Sequence, residues 1–172
     1  MTTALYEATV ERFIQMLEGV EGFLAKGLMH FNDKGIDPKE IVETRLWSDM
    51  LPFSYQIVAA THHSLGAIEG VKKGEFSPPA QDTRSYPDLQ KLVADSRMAL
   101  QRLGRDEVNA LEGRELVFKA GGREIAFLAE GFLLSFSLPN FYFHATTAYD
   151  ILRSKGVPLG KRNFTGPLRT KT

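Results

Sequence analysis

Apolar residues recur at helical spacing in four long stretches of the chain. The first, residues 5–28, has one apolar side formed by Leu5, Phe13, Leu17, Val20 and Leu24. The second, residues 48–72, has Pro52 in its first turn and an apolar face marked by Leu46, Phe53, Ile57, Ala60, Ile68 and Val71. The third begins at Ser85 and bears the stripe Leu89, Leu92, Val93, Ser96, Leu100 and Leu103. The fourth, residues 138–155, buries Phe141, Ala145, Ala148 and Leu152. These repeats predict four main helices.

Between residues 114 and 128 the apolar period changes from helical to two, which is typical of strands. Gly121-Gly122 suits a two-residue hairpin turn. Pairing around that turn sets Lys119 opposite Glu124, Phe118 opposite Ile125, and Leu116 opposite Phe127. One face of the hairpin is then apolar, and opposite charges meet on the other.

Helix-breaking and helix-capping residues divide the remaining sequence into elements. Asp37 caps a short helix begun by Pro38, a breaker-rich loop covers residues 73–80, and Gly156 ends the last helix. The fold class is therefore mainly α, a four-helix bundle with a small hairpin inserted before the last helix. We expect a single domain over 1–172, with residues 157–172 as an irregular tail.

Composition limits the classes of function. Lys plus Arg and Asp plus Glu both number 21, so non-specific binding to nucleic acid or to an anionic membrane is not expected. Cysteine is absent, which excludes thiolate metal sites and cysteine nucleophiles. The first residues lack the order of a signal peptide, and the most apolar stretch, 125–138, is too short to cross a bilayer. We expect a soluble, cytoplasmic protein.

Two of the four histidines fall at the edges of predicted helix faces. Asp49, Gln56 and His63 are spaced by seven, which places them in line along the border of the second helix face. His144 lies at the edge of the last helix face in the same way. By contrast, His62 is predicted to be solvated, and His30 to be a cation near a helix C-terminus.

Two readings of His63 and His144 remain open. Neutral imidazoles from two helices could hold Zn, Ni, Cu or Fe(II), with Asp49 or a buried Glu adding an oxygen. Alternatively, each histidine is half-buried and hydrogen-bonded to a neighbour, and Asp49 caps the second helix. Other candidates have weaker patterns: Tyr142 and Tyr149 share one side of the last helix, and Lys161 and Arg162 in the tail could receive an anion.

Three segments carry a resemblance to a known family: residues 49–52, 138–149 and 156–164. They resemble the uncharacterised family of domains of unknown function numbered nineteen-ninety-three. That family is similar to the DinB/YfiT-like superfamily of four-helix proteins, which includes metal-dependent thiol transferases, thiol-dependent isomerases and many proteins without a known activity.

The superfamily pattern implies three histidines on a divalent metal, one from the second helix and two spaced by four on the last. By this resemblance His63 and His144 match two of them, and Ala148 stands where the third is expected. Two hypotheses follow. One is a metal-free bundle with a degenerate two-histidine site, which binds a small molecule between its helices or serves as a dimeric interaction module. The other is a divalent-metal-dependent enzyme of the thiol transferase or isomerase type. The resemblance also suggests a homodimer.

Overall fold

The fold was analysed in a computed structural model, which describes residues 4–168, 170 and 171. Four helical units form the bundle. The first consists of α1 (Leu5–Ala8) and α2 (Val10–Lys34), with a break at Thr9. The second is α4 (Phe53–Thr61), a π-helical segment π1 (His62–Gly66) and α5 (Ala67–Lys73). The third is α6 (Tyr86–Gln101). The fourth is α8 (Ala129–Gly131), a second π-helical segment π2 (Phe132–Ser137) and α9 (Leu138–Ser154).

Short elements connect and flank these units. They are α3 (Pro38–Val42), β1 (Glu75–Phe76), α7 (Arg105–Asn109), β2 (Glu115–Ala120), β3 (Arg123–Leu128) and α10 (Lys161–Thr165). The three strands form one sheet in the order β1-β2-β3, with β1 parallel to β2 and β2 antiparallel to β3. Of the helices in the described residues, none combines the length and apolarity needed to cross a bilayer.

The core lies where the four units meet. Its largest fully buried side chains come from every unit and are mostly aromatic: Tyr86, Phe13, Phe23, Phe31, Phe53, Phe132 and Phe141. The predicted hairpin register is confirmed in all three pairs, Leu116 with Phe127, Phe118 with Ile125 and Lys119 with Glu124. The predicted cap at Asp37 is also confirmed, since its carboxylate accepts the backbone N–H of Lys39 at 2.8 Å.

Several predicted boundaries were wrong. The first helix continues past residue 28 to Lys34, because Phe31 is still on its buried side and Gly35, with φ of 65°, ends it. The second helix begins at Phe53 and not at residue 48, since Pro52 is its N-cap and the preceding residues form turns. The last helical unit begins at Ala129, before the predicted start, as residues 129–137 form α8 and π2.

The C-terminal tail and the loop after the second unit also differ from the predictions. The tail predicted to be irregular contains α10, and residues 169 and 172 of it lie outside the described residues. The loop over 73–80 contributes β1, whose two residues are too few to give a period in the sequence. This loop also partly covers His62, which was predicted to be solvated and is half-buried against Phe76.

Candidate functional site

His63 and His144 face each other across the packed second and fourth units. His63 lies in π1 and is 6% exposed, while His144 lies in α9 and is partly buried. Their ring centroids are 5.8 Å apart and the ring planes differ by 14°. The two histidines therefore form one polar cluster in an otherwise apolar part of the bundle.

Ser137 fixes the orientation and tautomer of His63. Its hydroxyl donates to the backbone carbonyl of His63 at 3.0 Å, which uses the only hydroxyl proton. The Oγ atom also lies 3.2 Å from His63 Nδ1, and with its own proton on the carbonyl it accepts there, which assigns the ring proton to Nδ1. The Nε2 atom of His63 is then unprotonated and carries a free lone pair.

Gln56 fixes the orientation and tautomer of His144. The amide nitrogen of Gln56 donates to the backbone carbonyl of Leu51 at 2.8 Å, which turns Oε1 towards His144. Oε1 lies 2.7 Å from His144 Nδ1 and, being an acceptor, requires a proton on that nitrogen. His144 therefore also has an unprotonated Nε2.

Burial keeps both imidazoles neutral. The pKa of His63 is lowered to about 3, first by burial and then by the neighbouring His144 and His62. Burial lowers the pKa of His144 to about 4. At neutral pH both rings thus present lone pairs, which can accept a hydrogen bond or bind a metal.

A cavity of about 190 Å³ lies beside the two histidines. The fold brings its walls from four places: the second unit, the loop after α5, strand β2 and the fourth unit. The lining residues are Tyr55, His63, Phe76, Pro78, Pro79, Phe118, Phe136, Asn140 and His144. Among the side chains of the described residues, Arg84 Nε is the one buried nitrogen or oxygen atom that lacks a hydrogen-bond partner. The Nε2 atoms of His63 and His144 are therefore not buried without a partner. The free lone pairs therefore open on accessible space.

The spacing of the two rings is compatible with a shared metal ion. Two imidazoles on one tetrahedral zinc ion have ring centres about 5 Å apart, because each Zn–N bond is about 2.0–2.1 Å. The hydrogen bonds at both Nδ1 atoms are also those that orient metal-binding histidines. However, within residues 4–168, 170 and 171 no group of three His, Cys, Asp or Glu could hold a metal ion.

The predicted line of Asp49, Gln56 and His63 is not continuous. Gln56 and His63 are both buried and both contact the cluster, but Asp49 is exposed in the turn before α4. Asp49 therefore does not cap α4, where Pro52 is the N-cap. The line assumed an unbroken α-helix from residue 48, whereas the helix starts later and passes into π1.

The remaining predicted residues lie elsewhere. Tyr149 packs on Phe23 and Phe164, with ring centroids 6.1 and 5.6 Å away. Tyr142 is half-buried beside Phe141 and does not line the cavity. His30 lies in the last turns of α2, and Lys161 and Arg162 are exposed in α10.

Ala148 does not stand at the cavity either. It is fully buried in the core, and the α9 residue that lines the cavity beside His144 is Asn140, one turn earlier. Sequence reasoning missed Asn140, Ser137 and Tyr55. The spacing of four between Asn140 and His144 was the available signal, since residues four apart share a helix face. Ser137 and Tyr55 had no comparable signal.

Comparisons with known proteins agree with this architecture. The sequence model of the family described as Domain of unknown function (DUF1993) matches residues 5–165, so the chain belongs to that family. A crystal structure of a DinB family member protein from Shewanella denitrificans is similar, with a TM-score of 0.80 and 22% identity over 98% of this chain and 95% of that chain. The fold is therefore a DinB-like four-helix bundle. A search of curated proteins finds no match.

Proposed function

We propose that the chain binds a small organic molecule in the cavity beside His63 and His144, through hydrogen bonds to the two Nε2 atoms. The observation that carries the proposal is the pair of tautomers. Ser137 accepts the Nδ1–H of His63, and Gln56 accepts the Nδ1–H of His144. The Nε2 lone pair of each ring is therefore left for a ligand in the cavity.

The two Nε2 atoms take their hydrogen-bond partners from the cavity and not from the protein. Polar groups in protein interiors are normally paired with protein or with ordered water. Here two neighbouring imidazoles have no protein partner at Nε2 in the hydrogen bonds of the described residues. Tyr55, Phe76, Phe118 and Phe136 surround them with apolar surface that suits a flat ligand.

A fragment screen by ligand-observed NMR tests the proposal. The native chain is compared with His63→Ala, His144→Ala and the matched control His30→Ala, whose histidine lies in α2 away from the cavity. We expect fragments with N–H or O–H donors to bind the native chain and the control, and to lose binding in both cavity variants. Thermal unfolding of each variant verifies that it folds. Fragment binding that is unchanged by both cavity substitutions would exclude this site.

A divalent metal such as Zn, Ni or Fe is the second candidate ligand. The two oriented imidazoles fit two positions of such a site, but the described residues add no third His, Cys, Asp or Glu. The donor set thus does not fit a resident metal with three protein ligands, and no thiol transfer or isomerisation step follows from it. Metal content by plasma mass spectrometry, on the untagged chain and on the His63→Ala, His144→Ala variant, decides between the candidates. Near-stoichiometric metal that vanishes in the variant would favour the metal.

A further inference from the structure

Acceptors outnumber donors among the polar side-chain atoms of the residues that line the cavity. His63 and His144 each present an Nε2 lone pair. One N–H of the Asn140 amide donates to the backbone carbonyl of Phe136 at 2.7 Å, which leaves Oδ1 as a third acceptor and the second N–H as a donor. No Lys or Arg is among the lining residues, all of which belong to the described part of the chain.

Phenylalanine rings form part of the cavity walls. Ring faces carry the negative part of the aromatic quadrupole and attract cations. Phe118 and Phe136 lie close together, with ring centroids 4.7 Å apart, and Phe76 lies 5.4 Å from His63. Pro78, which is exposed, stands at the rim, so a bound ion can keep part of its hydration.

We infer that the cavity selects a small organic ammonium or amidinium ion over a carboxylate of the same shape. This inference rests on the proposed function and specifies its ligand class. Cationic N–H groups donate to the three acceptors, and charge-assisted hydrogen bonds are the stronger kind. A carboxylate would meet the same lone pairs, and the side-chain donors that line the cavity in the described residues are neutral: the Tyr55 hydroxyl and the second N–H of Asn140.

The volume of the cavity defines suitable probes. An engineered cavity of about 150 Å³ holds benzene. A cavity of about 190 Å³ therefore accommodates one ring with a short substituent. Benzylammonium, benzyl alcohol and benzoate share this shape and differ in charge.

Titration of the full chain with these three probes at pH 7.5 tests the inference. We expect benzylammonium to bind about tenfold tighter than benzoate or better, with benzyl alcohol between them. Asn140→Asp should tighten benzylammonium binding severalfold, and Asn140→Leu should weaken it. Thr146→Asp is the matched control, because it adds the same charge to an exposed position of α9 outside the cavity and should change little.

The outcomes separate this inference from the proposed function. Equal or tighter binding of benzoate would overturn the charge selectivity and leave the site intact. If none of the three probes binds at millimolar concentrations, the selectivity is overturned, and the fragment screen alone decides whether the cavity is a site. An equal increase in benzylammonium affinity in Asn140→Asp and Thr146→Asp would also overturn the charge selectivity, since the added charge would then act at long range and not in the cavity.

Discussion

Ser137 and Gln56 determine which nitrogen each histidine offers to the cavity. Ser137 is fully buried and bonds both the carbonyl and the Nδ1 of His63. Gln56 is held by the carbonyl of Leu51 and bonds His144. One hydroxyl and one amide therefore set the tautomers of the whole cluster.

Substitution of Ser137 should affect His63 and leave His144 unchanged. In Ser137→Ala the carbonyl and Nδ1–H of His63 lose their partner, which costs about 1–3 kcal/mol of unfolding free energy. Nitrogen-15 NMR of the imidazoles should show Nδ1–H tautomers for both rings in the native chain, and a changed tautomer for His63 alone in the variant. Gln56→Leu is the converse control and should change His144 alone. An unaltered His63 tautomer in Ser137→Ala would contradict the assignment.

The position of α9 decides where a third metal ligand could stand. Asn140 lines the cavity one turn before His144, whereas Ala148, one turn after it, is fully buried in the core. We expect Asn140→His to create a three-histidine site that binds zinc more tightly than the native chain, as measured by calorimetry. Ala148→His should instead lower the melting temperature, because it overpacks the core, and should add no zinc affinity. Zinc binding in Ala148→His without loss of stability would show that the cavity extends further along α9.

The docking of the C-terminal segment on α2 needs a glycine at position 19 of the helix. A Cβ at Gly19 would overlap the backbone carbonyl of Phe164, while a Cβ at Gly22 would meet nothing within 4 Å. Ala is favoured over Gly inside a helix by about 1 kcal/mol. Gly22→Ala should therefore raise the unfolding free energy by up to about 1 kcal/mol, while Gly19→Ala should lower it. Chemical denaturation measures the unfolding free energy of both variants. An equal increase in the two variants would show that the C-terminal segment is not docked on α2.

The sequence predicts elements well where a local period defines them. The hairpin register followed from the alternation around Gly121-Gly122, and it is confirmed pair by pair. The two π-helical segments had no such signal, because one extra residue per turn leaves the composition of a helix unchanged. His63 lies in one segment and Ser137 ends the other, so the helix phases at the candidate site could not be read from spacing. The line through Asp49 was wrong chiefly because α4 starts later than predicted. Ala148 lies in the regular helix α9 with His144 and is buried, as its place in the predicted apolar stripe implies.

At the scale of the whole molecule, the two histidines make folding sensitive to mild acid. An unfolded histidine has a pKa near 6.5, whereas in the folded chain the pKa is about 3 for His63 and about 4 for His144. Below pH 6.5 the unfolded chain therefore binds more protons than the folded chain. Stability then decreases as the pH falls from 6.5, and this loss levels off only below the two folded-state values.

The expected loss from His63 alone is about 2 kcal/mol between pH 6.5 and pH 5. This range lies above the ordinary titration of carboxylates, so the histidines dominate it. Urea unfolding at pH 7.5, 6.5, 5.5 and 5 measures the slope of stability against pH. The His63→Gln, His144→Gln variant should make this slope much shallower, with a residual slope from His62, whose pKa burial also lowers. His30→Gln, in which the cavity histidines are intact, should retain the native slope. A native profile as flat as that of the double variant would mean that the two imidazoles take up protons as readily in the folded chain as in the unfolded one. Burial would then not keep the two rings neutral in mild acid, and they would no longer offer two lone pairs to a ligand at that pH.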